Sequence, residues 1–443
     1  MLNKIPSLLY ILSINVMIIS LHGHSNYGSF NNNDNDESKL TKLRESAIDI
    51  KKQKNYLKHD QNCLNQDIID TTPQFGDTFD FVIIGAGTAG ATIAARLSET
   101  TKNKILLIEA GSHENFYMDI PIVSAFLPLN NNINWNYESK PSNRYCRGTK
   151  GNKCLWPRGK VVGGSSAING MVATRGGAED YDRWADMGNK GWAYKDVLKY
   201  FKKLETMNIS ELKSDTTYHG TDGPLHITFP SFQTPLAKAF LKAGKELGYP
   251  LVDYNGKNMI GFSYPQMTIM NGTRMSSNRA YLHPIRNRKN LYMTLRSMVT
   301  KILIDSSTKR AVGVQFTKDG QNISVSARKE VILCAGAVGS PQLLMLSGIG
   351  PEKHLNELGI KVVKNAPVGE NLMDHPAYLA VLFLTKNESG LTPYEIFNPI
   401  NPYMAEFLTN RTGPWTSPGH IETLAFVNTK QPHKHIGLPD IEF

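Results

Sequence analysis

FDFVIIGAGTAGATIAARLSETTKNKILLIEAG, residues 79–111, is the stretch on which the fold turns. Five of its first six residues, Phe79, Phe81, Val82, Ile83 and Ile84, are apolar, the pattern of a strand buried on both faces of a parallel sheet. Gly85, Gly87 and Gly90 follow in a turn, and Ala91–Glu99 is rich in helix formers. A second apolar run, Ile105–Ile108, ends at Glu109. The unit is strand–turn–helix–strand, with G-x-G-x-x-G at its first turn and an acid 19 residues past the third glycine. Each position has a chemical reason. Gly85 allows the tight turn, Gly87 lets a pyrophosphate approach the backbone, and Gly90 lets helix and strand pack closely. The helix N-terminus offers unpaired N–H groups and a positive dipole end to phosphates. Glu109 is placed to hold ribose hydroxyls. The unit predicts a dinucleotide ligand, FAD or NAD, and leaves the reaction open.

The chain has 443 residues, room for two or three domains, and is 40% hydrophobic and 20% charged, as a globular protein is. Its net charge is +10, but the Lys and Arg are scattered apart from Lys51, Lys52, Lys54 and Lys58, the distribution of a solvated surface rather than a nucleic-acid footprint. Residues 1–24 have the shape of a secretory signal: Lys4 precedes a mostly apolar run, Leu8–Leu21, with Ser20 and Gly23 near its end. The run is short and broken by Ser13 and Asn15, so no stable membrane span is expected. Five N-x-S/T sequons, at Asn208, Asn271, Asn322, Asn387 and Asn410, suit a secreted glycoprotein. Of four cysteines, Cys146 and Cys154 flank a short Gly- and Lys-rich loop and suit a disulfide in an oxidising compartment. Cys334 ends an apolar strand as a buried thiol, and Cys63 has no obvious partner.

Residues 25–38 are polar and of low complexity, the composition of a disordered linker. Leu40, Leu43, Ala47, Ile50 and Leu57 then recur at helical spacing and predict an amphipathic helix on the main body. Trp156–Trp184 concentrates glycines at 159, 163, 164, 170, 176 and 177, so backbone there must come close to something flat or anionic. Helices are predicted over Tyr194–Glu205 and Pro235–Leu247, the second with Leu236, Ala239, Phe240, Ala243 and Leu247 on its apolar face. Leu291–Ser326 predicts a β-meander of four short runs, 291–295, 301–305, 312–316 and 323–325, with Asp319-Gly320 in its last turn. Glu330–Cys334 predicts a separate buried strand leading to a helix from Pro341, and 366–376 predicts a loop. The tail stops at Asp440–Phe443, inside what reads as a strand.

Four segments together carry a family resemblance. They are DFVIIGAGTAG (80–90) with LLIEAG (106–111), RGKVVGGSSAINGMVATRG (158–176), GAVGSPQLLMLSGIG (336–350) and VGENLMDHP (368–376). In these the chain resembles the glucose–methanol–choline (GMC) flavin oxidoreductases, and within them the insect secreted glucose-dehydrogenase-like members. The resemblance implies an α/β fold in which a Rossmann-like FAD-binding domain (79–230 and 285–375) is interleaved with a partial α+β substrate-binding domain (231–284 and 376–443). It implies that Gly85, Gly87, Thr88, Ala89 and Gly90 meet the pyrophosphate and that Glu109 holds the adenosine ribose. Gly164, Ser165, Asn169, Gly170, Met171 and Val172 would line the pyrophosphate and the isoalloxazine. Val299 would meet the adenine through its backbone, and Ala335 and Gly336 would lie against the cofactor from the other side. Some members attach FAD through a histidine in the second of these segments; residues 158–176 contain none, so the expectation is non-covalent FAD.

The implied reaction is hydride transfer from a small alcohol or sugar to the flavin, with electrons passed on to a quinone or other acceptor. A hydroxyl proton leaves too slowly near neutral pH without a positioned base. The family's catalytic histidine and its partner come from a C-terminal region for which this chain shows no counterpart. His420, His433 and His435 lie in surroundings unlike the catalytic segments, the H-x-H of 433–435 reads as solvated rather than as a metal site, and His375 reads as structural. No catalytic residue and no metal site are assigned, and the expectation is of a chain lacking that C-terminal part. Two functions follow: an FAD-dependent dehydrogenase acting on CH–OH groups, or a truncated, secreted FAD-binding or binding-only protein without catalysis.

Overall fold

The computed structural model describes residues 67–377, 391–398, 402–418, 421–431, 434 and 437–443. The predicted signal peptide, the linker, the helix of residues 40–57, Cys63, the sequon at Asn387, and His420, His433 and His435 lie outside the described residues. Along the chain, the elements that place the site are β1 (Thr78–Ile84), α1 (Thr88–Leu97), β2 (Ile105–Ile108), α2 (Pro235–Glu246) and β3 (Gly261–Ser263). They continue with β4 (Leu291–Thr294), β5 (Ser297–Ile304), β6 (Ala311–Lys318), β7 (Gln321–Leu333), α3 (Gly336–Leu346), β8 (Leu424–Val427) and β9 (Ile441–Glu442).

One six-stranded sheet, in the order β4-β2-β1-β7-β6-β5, forms the centre. Strands β4, β2, β1 and the second half of β7 are parallel, while β5, β6 and the first half of β7 form an antiparallel meander. Side chains alternate along a strand, and the alternation sorts the core into two layers. Ile83, Ile105, Leu107 and Met293 face α1, which presents Ala91, Ala94 and Ala95 so that helix and sheet come close. Val82, Ile84, Leu106 and Ile108 face the other way and are covered by Val299, Val314, Phe316 and Val325 of the meander. A smaller three-stranded sheet, β9-β8-β3, packs beneath α2 through Phe262, Ala425 and Val427.

Five expectations need correction. Leu291–Thr294 is not part of the meander but pairs in parallel with β2 at the edge of the central sheet. The runs at 323–325 and 330–334 are one strand, β7, in which Ser326 pairs with Gly313 on one side and Thr78 on the other. The polar residues Ser326–Glu330 at that hand-over hide its continuity. The helix expected from Pro341 begins five residues earlier, at Gly336, and carries Pro341 inside it. In α2 the buried residues are Ala237, Leu241 and Gly244, whereas Leu236 is exposed. Closeness rather than hydropathy chooses that face: a Cβ at Gly244 would lie 2.5 Å from the Phe262 ring. Cys334 is half-buried rather than fully buried, and burial pushes its thiol pKa up.

A buried polar network joins Arg175, Glu205, His219, Asp253 and Asn255, residues far apart in the chain. His219 hydrogen-bonds the Glu205 carboxylate through Nδ1 (2.8 Å) and Asp253 through Nε2 (2.7 Å). Arg175 Nη2 lies 2.8 Å from the other Glu205 oxygen, and the Asn255 side chain accepts the Arg175 N–H. Burial alone would lower the His219 pKa, but the bonds to Asp253 and Glu205 and their charges outweigh it and raise it to about 9. Both ring nitrogens therefore donate, as an imidazolium does. The stabilisation is complete below about pH 6.5 and is lost as pH rises through about 9. His219→Leu, which leaves Glu205 to Arg175 alone and removes the cation facing the half-buried Asp253, should cost about 3–5 kcal/mol in urea unfolding and abolish this alkaline loss of stability.

Candidate functional site

The site grows from the turn after β1. Gly85 has φ +96°, and a Cβ there would stand 2.5 Å from the Cys334 carbonyl oxygen and 3.3 Å from the Ala335 Cα. A Cβ on Gly90 would stand 1.9 Å from the Gly85 oxygen, so the bare Cα is what lets α1 rest on its own entry turn. Gly87 is different. An added Cβ there would meet only the Gly164 Cα, 3.7 Å away, so this glycine looks onto open space. Gly164 has φ +55°, and its own Cβ would approach the Gly87 Cα to 2.7 Å. The Gly163 N–H donates to the Ala86 carbonyl at 2.8 Å. Three segments far apart in sequence therefore touch backbone to backbone around Gly85–Gly87.

Above that contact, α1 begins at Thr88 with Gly87 as its N-cap, no capping side chain and no acid in its first turn. Thr88 and Ala89 are exposed, as is Gly336 (φ +80°), which opens α3 beside Ala335. The unpaired N–H groups and positive dipole end of α1 thus face an open cradle suited to an anion.

Glu109 closes the adjoining side. Its backbone N–H donates to Thr294 O and its carbonyl accepts from Ser297 N–H, both at 2.9 Å, so β4 and β5 hold it. Its carboxylate accepts the Ala86 N–H through Oε2 and the Gly111 N–H through Oε1, each at 2.8 Å. Burial raises its pKa to about 7; the N–H groups of Gly111, Ala86 and Ala110 and the Lys160 charge oppose that rise without cancelling it. Each oxygen has a further lone pair, which a vicinal diol could fill.

Gly85, Gly87, Gly90, Glu109, Gly164 and Ala335 thus surround one turn. Ser165 joins them through its hydroxyl, which accepts the Gly159 N–H at 3.2 Å, and through its carbonyl, which accepts the Asn169 N–H at 2.9 Å. Asn169–Val172 continue from there. Met171 is fully buried at φ +63°, its N–H bonded to Asn169 Oδ1 (3.1 Å), and Val172 bridges to Met267. Val299 lies two residues beyond Ser297, its side chain packed in the core with Ile84 and Ile108, so only its backbone is available to a ligand. His375 is exposed. Sequence reasoning missed Arg274, which lies under Asn169 and bonds it at 2.8 Å. A lone arginine between Thr273 and Met275 gives no signal of burial.

Because the Glu109 pKa is raised, the ligand-free protein is most stable with this group protonated. Stability should fall by up to about 3 kcal/mol as pH rises from about 4.5 to about 7 and then level off. Glu109→Gln should flatten that part of the profile in denaturant unfolding at a series of pH values.

The GMC oxidoreductase family model matches residues 79–377. The glucose dehydrogenase (FAD, quinone) of Drosophila pseudoobscura pseudoobscura is 41% identical over 368 residues, covering 82% of this chain and 57% of its own. The oxygen-dependent choline dehydrogenase of Rhizobium etli is 45% identical over 299 residues, covering 67% of this chain and 52% of its own. An FAD-dependent oxidoreductase from Chaetomium thermophilum superposes with a TM-score of 0.69 at 30% identity, over 79% of this chain and 62% of that one. The chain thus spans about half the length of these curated relatives.

Proposed function

The chain belongs to the GMC oxidoreductase family, and from that premise we propose that it holds FAD non-covalently in the cradle around Gly87 and serves the oxidation of a CH–OH group in a small alcohol or sugar. FAD is the cofactor expected of such a chain, and the residues present fit it. Gly87 leaves room for a pyrophosphate against the backbone, and the open end of α1 offers it N–H donors. The buried Glu109 carboxylate can accept two ribose hydroxyls while Ala86 and Gly111 hold it in place. In the glycine-rich loop, Asn169 is exposed and Gly170 half-buried, while Met171 is packed in the core beneath them, so a flat ring could lie along this loop. Bound FAD would supply the acceptor for a hydride; these residues would hold its pyrophosphate and ribose and orient it. The observation that carries the reading is the backbone contact of Gly87 with Gly164 and of Gly85 with Ala335, which unites the sequence motifs in one place. The binding-only alternative is not favoured, since the relatives are dehydrogenases by name. A quinone, or another acceptor, would take the electrons onward.

The test is direct. Protein expressed with FAD available should carry a yellow chromophore that acid precipitation releases to the supernatant. Anaerobic addition of an alcohol or sugar substrate to the chain, together with whatever further segment its gene encodes, should bleach it. Absence of flavin after incubation with FAD, or flavin retained on the precipitate, would overturn the reading.

The same proposal includes secretion. Among the described residues, no helix is long and apolar enough to cross a membrane. Cys146 and Cys154 are disulfide-bonded, and the sequon residues Asn208, Asn271, Asn322 and Asn410 are all exposed. Expression in a eukaryotic secretory host should yield medium-borne protein whose gel mobility increases on treatment with an N-glycanase; intracellular, unshifted protein would count against it.

A further inference from the structure

Arg274 is 1% exposed, among the most buried large side chains of the molecule. Its guanidinium is met by neutral oxygens. Nε donates to Met118 O at 2.6 Å, and Nη1 donates to Ser166 O at 3.0 Å and to Asn169 Oδ1 at 2.8 Å. Nη2 is buried without a hydrogen-bond partner. The charges of Glu114, Asp119 and Arg279 act on it from around, and desolvation pulls its pKa down to about 10, so it remains a cation at neutral pH. Burying a guanidinium on neutral acceptors is expensive, and what it grips is the loop lining the cradle.

Asn169 shows what the grip achieves. A carboxamide has one acceptor end and one donor end, nearly equal in shape. Here the two groups facing one end, Arg274 Nη1 and the Met171 N–H, can only donate. That end must be the oxygen, and the NH₂ is turned the other way, on a residue that is exposed while Arg274 beneath it is not. An exposed asparagine on its own turns about a broad, two-fold torsion; this one is locked. Through Met118 O the same guanidinium also registers the turn after β2 against the glycine-rich loop.

We propose that Arg274 is a positioning residue for the cofactor: it fixes the Asn169 oxygen inward and so presents the Asn169 amide N–H outward as a hydrogen-bond donor to bound FAD. This rests on the reading that the cradle takes FAD, and it adds a residue outside the four motif segments quoted above.

Two variants test it, with FAD titrated into apoprotein and followed by flavin fluorescence and by the position of the bound flavin's absorption bands, alongside the melting temperature of the apoprotein. Asn169→Asp keeps an acceptor for Arg274 and for the Met171 N–H but replaces the outward donor. It should melt as the wild type does or higher, yet raise the FAD Kd at least about tenfold and shift the flavin bands. Arg274→Lys keeps the charge but not the fork. It should raise the Kd about tenfold in the wild-type background and have no further effect in Asn169→Ala, as expected of residues acting through one contact. Wild-type affinity in Asn169→Asp would overturn the proposal, as would additive effects of Arg274→Lys and Asn169→Ala. Should Arg274→Lys not fold, Asn169→Asp decides alone. A wild-type protein that takes up no FAD would overturn the cradle reading itself and this proposal with it; a wild type that binds FAD beside an unaffected Asn169→Asp overturns only the role of Arg274.

Discussion

The contact between two bare Cα atoms, Gly87 and Gly164, is the constraint on which the site depends. At 2.7 Å from Gly87 Cα, a side chain on Gly164 could be admitted only by moving the turn that opens α1. The same logic repeats around it: Gly85 against Cys334 and Ala335, Gly90 against Gly85, Gly111 against the Lys160 carbonyl, Gly159 against Gly164. Each missing side chain shortens the distance between two segments, and together they draw the ends of β1, β2 and β7 into one cradle. Parallel strands deliver their carboxyl ends to the same edge of the sheet, which is where an open α/β sheet binds its ligand. The meander strands β5 and β6 add a second cover, so Val82, Ile84, Leu106 and Ile108 are sealed while their carboxyl-terminal ends stay reachable.

Electrostatics then divides the cradle in two. One part, at the start of α1, is positive only through oriented N–H groups and has no neutralising acid. The other part holds Glu109, a carboxylate taken out of water and held by backbone donors. Its raised pKa means that the empty site tolerates the charge poorly. Under the proposed reading, hydroxyl donors from a ribose would favour the ionised form, so part of the cost of burying the acid would be recovered on binding.

How much of this was legible in the sequence depends on whether backbone or side chain does the work. Gly85, Gly87 and Gly90 announce themselves by their fixed offsets from an apolar strand, although backbone proximity forces only Gly85 and Gly90 while Gly87 faces open space. The strand–turn–helix–strand unit and the antiparallel pairing of 301–305, 312–316 and 323–325 followed from apolar runs and an Asp-Gly turn in the same way. What failed were inferences that equate burial with hydropathy. The buried face of α2 is marked by Ala237 and Gly244, residues chosen for their size, while Leu236 looks outward. Strand β7 crosses from one partner to another through the polar Ser326–Glu330, and polarity there reads as a loop. Arg274 and His219 were invisible for the converse reason: nothing in a single sequence distinguishes a charged residue about to be buried from one left in solvent.

Those two buried cations show that burial of charge serves different ends. His219 is bracketed by Glu205 and Asp253, with Arg175 on the far side of Glu205, so its charge is matched and the gain is the rigid joining of segments near the smaller sheet. Arg274 has carbonyl and amide oxygens as its hydrogen-bond partners and one nitrogen left over. A purely structural role would be served as well by an apolar side chain of similar volume, since replacing buried charge by hydrophobic packing is often neutral or stabilising. What an apolar residue could not do is distinguish the two ends of the Asn169 amide. The cost of Arg274 is therefore intelligible if orientation, rather than stability, is what it supplies, and orientation matters at the rim of a cradle whose other contacts are almost all backbone.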